Sequence, residues 1–289
     1  MASPANPKGI LHEFPPFIRI YKDGTVELLI GTQTIPPMSL SDASISSKDF
    51  AISPDLTTLL YFQGGAFVIE SAFSPFYHRY LDALSAKANA LIISVDYCLA
   101  PDHPLSTAYD DAWAAFQWIM DLSDPWLRDH ADLDHLFLAR DSAGANIAHR
   151  TTMRAGKSTG ARVRRLVTIH PFFWGTDLKE TARERSESVE KMSRFVCPKT
   201  NGLDDPQVNP GAEALERLGC RNMLVCVAGK DMLRERGRAY YEDVRRSGWE
   251  GVAEVMEIEE EDHIFHLFRP DCDNASLMME QILMFLNND

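Results

Sequence analysis

From Thr58 to Leu286 the chain alternates short apolar runs with longer stretches of helical spacing, and this alternation restricts the fold more than any other feature. Thr58–Phe62, Ala90–Asp96, His135–Ala139, Val163–Ile169, Met223–Ala228 and Val252–Ile258 read as strands, Ala90–Asp96 as a buried run. Phe76–Ala88, Ala108–Met120, Ala143–Ala155, Arg234–Ser247 and Asn274–Leu286 carry the helical period between and after them. Strands and helices in strict alternation give an α/β fold, with a mostly parallel central sheet and helices on both faces.

The flanks are less regular. Ile18–Leu29 reads as two short strands around the Asp23-Gly24 turn, and residues 1–15 as a loose N-terminal arm. Residues 31–58 carry Ser, Thr and Pro with little periodicity. Residues 175–210, rich in charge, Pro and Gly, read as a cap or loop excursion. No repeat or linker divides the chain, so one domain is expected over residues 1–289.

Charge narrows the partners. The 29 basic and 42 acidic residues leave a net charge of −13, which argues against nucleic acid and anionic membrane surfaces. The five cysteines, Cys98, Cys197, Cys220, Cys226 and Cys272, include no CxxC pair, which argues against a zinc cluster or disulfide framework. The N-terminal segment has no apolar core of signal-peptide length, and no run reaches the roughly 18 apolar residues of a membrane span. A cytoplasmic enzyme acting on a small molecule is expected, with no metal or organic cofactor.

Four segments carry chemistry, each just after a strand. Arg140-Asp141-Ser142-Ala143-Gly144 joins a strand to a helix and resembles a nucleophile elbow, in which a tight turn exposes the serine hydroxyl at a helix N-terminus. Gln63-Gly64-Gly65 ends an earlier strand, and adjacent glycines let backbone N–H groups approach a ligand. Together with the N–H of Ala143, such groups suit an oxyanion hole. Asp231 follows the strand ending at Ala228, and His263 follows the strand ending at Ile258. Read singly, these could be a helix cap, a plain turn and two solvated loop residues. Their chain order, Ser, Asp, His, is that of the α/β-hydrolases.

The segments Gly64–Tyr80, Tyr97–Asp111, Asp124–His149, Pro171–Gly175, Gly229–Trp249 and Asp262–Phe268 resemble the plant carboxylesterases, in the hormone-sensitive-lipase-like group of α/β-hydrolases. The resemblance spans nearly the whole chain. It implies a serine esterase for small carboxylic esters, with the triad Ser142, Asp231 and His263 and an oxyanion hole at Gly64, Gly65 and Ala143. Isoflavanone dehydratases of this group often carry Thr at the nucleophile, and gibberellin receptors lack the histidine. Ser142 and His263 therefore favour hydrolysis. The alternatives are a weak or inactive relative that binds small molecules, and a dehydratase or cyclase of a specialised plant metabolite.

The chain departs from that family's pattern in three places. Gln63 stands where the family has His, and Arg140 where the elbow has Gly. Asp55-Leu56-Thr57-Thr58 runs directly into Leu59-Leu60-Tyr61, so about one strand and its loop are expected to be missing. Arg140 is expected to hold Ser142 slightly off line, since a long side chain crowds a sharp turn. The carboxylates Glu257, Glu259, Glu260, Glu261 and Asp262 are expected to raise the pKa of His263 where they face it. Trp113, Trp118 and Trp126 are expected in the core, as is the Met278, Met279, Met284 face; His78, His103, His149 and His170 show no ligand spacing.

Overall fold

The computed structural model describes residues 9–35, 56–158, 163–175, 189–202 and 204–288. Strands β1 (Ile10–Phe14), β2 (Ile18–Tyr21) and β3 (Val26–Leu28) form a small antiparallel sheet. The expected hairpin is β2–β3, turning at Gly24 with φ +84°. β1 corrects the expected loose arm: His12, Glu13 and Phe14 pair with Ile20, Arg19 and Ile18. Its buried Phe14 and the tilted ring contact of Phe14 with Phe195, at 4.8 Å, tie it down.

The central sheet holds β4 (Leu56–Phe62), β5 (Ala90–Val95), β6 (Ala131–Asp141), β7 (Val163–Ile169), β8 (Cys220–Ala228) and β9 (Val252–Ile258). Their order is β5-β4-β6-β7-β8-β9, and every neighbouring pair is parallel. Among the described residues β5 is an edge strand; residues 36–55, where the strand expected to be missing would fall, lie outside the described residues.

Side chains alternate across the sheet, so each strand feeds two cores. Leu136 and Leu138 of β6 pack with Ala108, Ala112 and Phe116 from helix Leu105–Asp121 and with Ile147 from helix Ser142–Gly156. Phe137 and Ala139 face the other way, against Leu81 from helix Pro75–Ala88 and Met278 and Ile282 from helix Asp273–Asn287. Helix Arg234–Arg246 covers the first face through Tyr240 and Val244.

Two aromatic expectations fail. Trp118 and Trp126 are exposed, at 42% and 51%. The buried stripe of helix Leu105–Asp121 runs through Ala108, Ala112, Phe116 and Ile119, and Trp118 falls off it. Trp113 packs against the core edge as expected, and Met278 and Met279 are buried while Met284 is exposed. Of the expected excursion at 175–210, residues 189–196 are helical and 176–188 lie outside the described residues.

The chain leaves β4 toward β5, then crosses back to β6 on β4's other side. Loops after β4 and β6 therefore diverge, and they open a crevice at the C-terminal ends of those strands, where ligands bind in open parallel sheets.

Candidate active site

Ser142 follows β6 directly, at φ +51°, and begins helix Ser142–Gly156. A left-handed backbone at a non-glycine residue is strained, and here it turns the hydroxyl out of the sheet. The turn closes because Gly144 has no side chain: a Cβ there would lie 2.3 Å from the Phe62 carbonyl oxygen. Asn146, one turn on, accepts from the Tyr109 hydroxyl at 2.8 Å and donates to the Gln207 carbonyl at 2.6 Å, which holds the helix start in place.

The three expected residues meet. Ser142 Oγ lies 2.9 Å from His263 Nε2, and His263 Nδ1 lies 2.8 Å from Asp231 Oδ2. Asp231 is buried, and its other oxygen accepts the Leu233 N–H at 2.8 Å. An acceptor carboxylate on Nδ1 places the proton there and leaves Nε2 with a lone pair facing the serine hydroxyl.

Burial works against the charged form of His263. The hydrogen bond to Asp231 and that carboxylate's charge, then the charges of Asp141 and Asp262, outweigh that and raise its pKa above the ordinary imidazole value. Most of the acidic run is engaged elsewhere. Glu257 pairs with Arg234 and Arg238, Glu260 with Lys230, and Glu261 with Arg269. Of the five carboxylates expected to act on the imidazole, Asp262 contributes to its shift.

Sequence reasoning passed over His170. It follows β7, sits at φ +47°, and is 1% exposed. Its Nδ1 accepts the N–H of Ile264, next to His263, at 2.9 Å, and the two imidazole centroids are 5.7 Å apart. Burial, then the neighbouring His263, holds its pKa well below the ordinary value, so it is neutral. The only signal for it was its place at a strand end.

His170, Asp231 and His263 have ligand-type atoms within 4.8 Å of one another. Their hydrogen bonds do not suit a metal ion. Neutral His170 accepts at Nδ1, so its Nε2 carries the proton and offers no lone pair. Asp231 and His263 already satisfy one another.

The loop after β4 faces Ser142. Gly65 has φ +95°, and a Cβ on it would lie 2.2 Å from the Ile69 carbonyl oxygen. Gly64 departs from its expected role. Its N–H donates to the Tyr77 hydroxyl at 2.8 Å, and the space where a Cβ would stand is occupied, with Asp141 Oδ2 at 2.5 Å. Gly65 and Ala66 line the cleft beside Ser142, and their N–H groups make no hydrogen bond within the described backbone. Ala143 belongs to the first helical turn, whose N–H groups have no carbonyl one turn earlier to bond.

Behind the elbow, Asp141 is fully buried and accepts from the hydroxyls of Tyr61 and Tyr77, each at 2.8 Å. Burial pushes its pKa up, and the two hydroxyls pull it back. Arg140 is also fully buried. Its guanidinium lies 4.0 Å from the Phe62 ring centroid and 5.1 Å from that of Tyr61, and it donates to the Ala139 carbonyl. Among the described residues its Nε and Nη2 find no partner, nor do the amide atoms of buried Gln63. Ser142 nevertheless remains within hydrogen-bond distance of His263, which corrects the expected tilt. The strand alternation explains this, because Arg140 points with Leu136 and Leu138 into the core below the elbow rather than into the cleft.

The cleft above Ser142 encloses about 930 Å³. Its walls include Phe76, Phe172 and Met192, and the N-terminal segment adds Phe14 and Phe17.

The α/β-hydrolase fold profile matches residues 59–267. The chain is 41% identical over 307 residues to probable carboxylesterase 2 of Arabidopsis thaliana, covering 97% of each. It is 40% identical to 2-hydroxyisoflavanone dehydratase of Glycyrrhiza echinata, covering 96% of this chain and 97% of that one. Among solved structures, the hyperthermophilic esterase of Pyrobaculum calidifontis superposes with a TM-score of 0.67 at 27% identity, covering 81% of this chain and 77% of the other. With its fold, its strand-end serine and relatives of this closeness, the chain belongs to the plant carboxylesterase family of α/β-hydrolases.

Proposed function

We propose that the protein is a serine carboxylesterase and that Ser142, His263 and Asp231 carry out the reaction. The observation that carries this is the continuous hydrogen-bonded line from Ser142 Oγ through the imidazole to Asp231, at 2.9 and 2.8 Å.

Ser142 Oγ attacks the ester carbonyl as His263 Nε2 takes its proton. Asp231 keeps the proton of Nδ1 in place and stabilises the imidazolium. The N–H groups of Gly65, Ala66 and Ala143 receive the negative charge that forms on the carbonyl oxygen. Gly64, expected as a donor, anchors the loop through Tyr77 instead. Collapse of the tetrahedral species expels the alcohol, which takes its proton from His263. Water then repeats the steps on the acyl-serine and releases the acid.

The substrate is a small-molecule ester, since the cleft volume is of the size that holds such ligands. A dehydratase reading has one finding behind it, the relative of that name. The esterase reading has Ser142 in line with a base, an arrangement that water loss does not need. We place the protein in the cytoplasm: its five cysteines are free thiols, which suits a reducing compartment, and no helix among the described residues is long and apolar enough to cross a membrane.

A fluorophosphonate probe followed by peptide mapping tests the assignment. Labelling at Ser142, lost after prior incubation with an aryl organophosphate that leaves a stable phosphoryl-serine, is expected. Absence of labelling on folded protein would overturn it.

A further inference from the structure

Glu70 stands on the cleft wall at the end of the loop that carries Gly65 and Ala66. The loop is closed by two hydrogen bonds to the Gly65 carbonyl, from Val68 and Ile69, each at 3.0 Å. Three of its non-glycine residues lie in the left-handed region: Ala66 at φ +52°, Phe67 at +66° and Glu70 at +70°. Such conformations are costly and persist where the surroundings impose them, commonly at ligand sites.

The surroundings of Glu70 are built closely. Gly31, at φ +75°, approaches so near that a Cβ there would lie 2.9 Å from Glu70 Oε1 and 3.0 Å from its backbone nitrogen. Yet Glu70 Oε2 is buried and accepts no hydrogen bond among the described residues. A carboxylate oxygen removed from water without a donor is unfavourable.

The other acidic groups of the cleft have donors. Glu13 accepts from Arg19 at 2.8 Å, and Asp262 accepts the His263 N–H at 2.7 Å. Of the cleft's cations, Lys230 and Arg269 are paired with Glu260 and Glu261, and Lys191 stands over the Phe14 ring, its Nζ 5.3 Å from the centroid. The cleft lining is otherwise largely apolar, through Phe14, Phe17 and Ile69. A ligand that fills the cleft therefore meets, at Glu70, a carboxylate that no described side chain pairs.

We propose that Glu70 is a specificity-determining residue that accepts a hydrogen bond from a hydroxyl on the acyl or alcohol part of the ester. The inference rests on the esterase reading above. A hydroxyl supplies the missing donor, whereas an apolar group of the same size leaves the carboxylate desolvated and unpaired. Sites built this way discriminate strongly against analogues that lack the donor.

Two pairs of esters matched in size test it: glycerol 1-monobutyrate with pentyl butyrate, and p-nitrophenyl 6-hydroxyhexanoate with p-nitrophenyl heptanoate. The readout is the ratio of kcat/KM within each pair, for wild type, Glu70→Gln and Glu70→Met. In at least one pair the ratio is expected to favour the hydroxylated ester in wild type and to fall about tenfold or more in Glu70→Met. Glu70→Gln, which keeps an acceptor of the same shape, is expected to fall between. Ratios that stay the same across the three proteins, while wild type hydrolyses the apolar esters, would overturn the role of Glu70 and leave the esterase reading standing. Failure of folded wild type to hydrolyse any of the four would overturn both.

Discussion

The Tyr77 hydroxyl donates to the Asp141 carboxylate across 2.8 Å, and this contact joins the residue before the nucleophile to the loop that faces it. The same hydroxyl accepts the Gly64 N–H at 2.8 Å, so the elbow and the oxyanion loop share one buried anchor. Asp141 lies on the face of β6 opposite Arg140, and a second hydroxyl, from Tyr61, keeps its carboxylate satisfied.

Tyr77→Phe removes that anchor and keeps the ring. The oxyanion donors themselves remain, so the loss comes from their misplacement. A displacement of about 1 Å costs up to about 10²-fold. Steady-state kinetics on a short aryl ester are expected to show kcat lowered about 10- to 100-fold with little change in KM.

Arg140 gives a stability prediction. Its guanidinium is buried with Nε and Nη2 unpartnered, and burial holds its pKa well below the ordinary value. Arg140→Met keeps a long side chain and removes the charge. A gain of about 1–3 kcal/mol is expected, or about 2–4 °C in Tm for each kcal/mol in a chain of this size. Because Ser142 is already in line with His263, Arg140→Gly is expected to leave the esterase rate without improvement. Thermal melts and initial rates on the two variants check both statements.

The pH profile follows from His263. Its neutral form is the base, and its pKa is raised by Asp231, Asp141 and Asp262 against the opposing effect of burial. The protonated, inactive form therefore persists to higher pH than for a free imidazole, whose pKa is about 6.5. The rise of kcat/KM with pH is expected on the alkaline side of that value. Asp262→Asn removes one of the charges that raise it and moves the limb to lower pH. Glu260→Gln leaves it in place, because Glu260 is turned to Lys230 at 3.0 Å.

His170→Phe tests the support of the histidine loop. The substitution keeps an aromatic ring but removes the acceptor of the Ile264 N–H. Ile264 itself has φ +46°, a conformation that needs such a hold. A fall in kcat of about tenfold is expected, with the slope of the pH profile retained, since His263 remains the titrating base.

The sheet and the proposed triad are legible because each strand is a local apolar run and each proposed reacting residue lies just beyond a strand's end. Ser142, Asp231 and His263 needed only chain order and the rule that parallel sheets carry their sites at that edge. Strand β1 was not legible, because Ile10–Phe14 is fixed by pairing with β2 and by packing on Phe195 rather than by its own pattern. The first residues of β6 were missed for a similar reason: Asp132 and Asp134 break the apolar run, and the register with β4 shifts between Thr57 and Thr58. Gly64 was assigned to the oxyanion hole because its sequence position allows it, and only the place of Tyr77, on a helix 13 residues away, turns its N–H elsewhere. The same holds for Arg140, whose direction depends on strand alternation that a motif does not record.

The most direct test of the central claim is Ser142→Ala on p-nitrophenyl butyrate, with the folded state of the variant verified by circular dichroism. Loss of one hydroxyl leaves the packing of the elbow intact, so the variant is expected to fold and melt like wild type. Its kcat/KM is expected to fall about 10³-fold or more, as when a nucleophile is removed from a triad. Turnover equal to wild type in the folded variant would contradict the assignment of Ser142, and with it the line from Ser142 through His263 to Asp231.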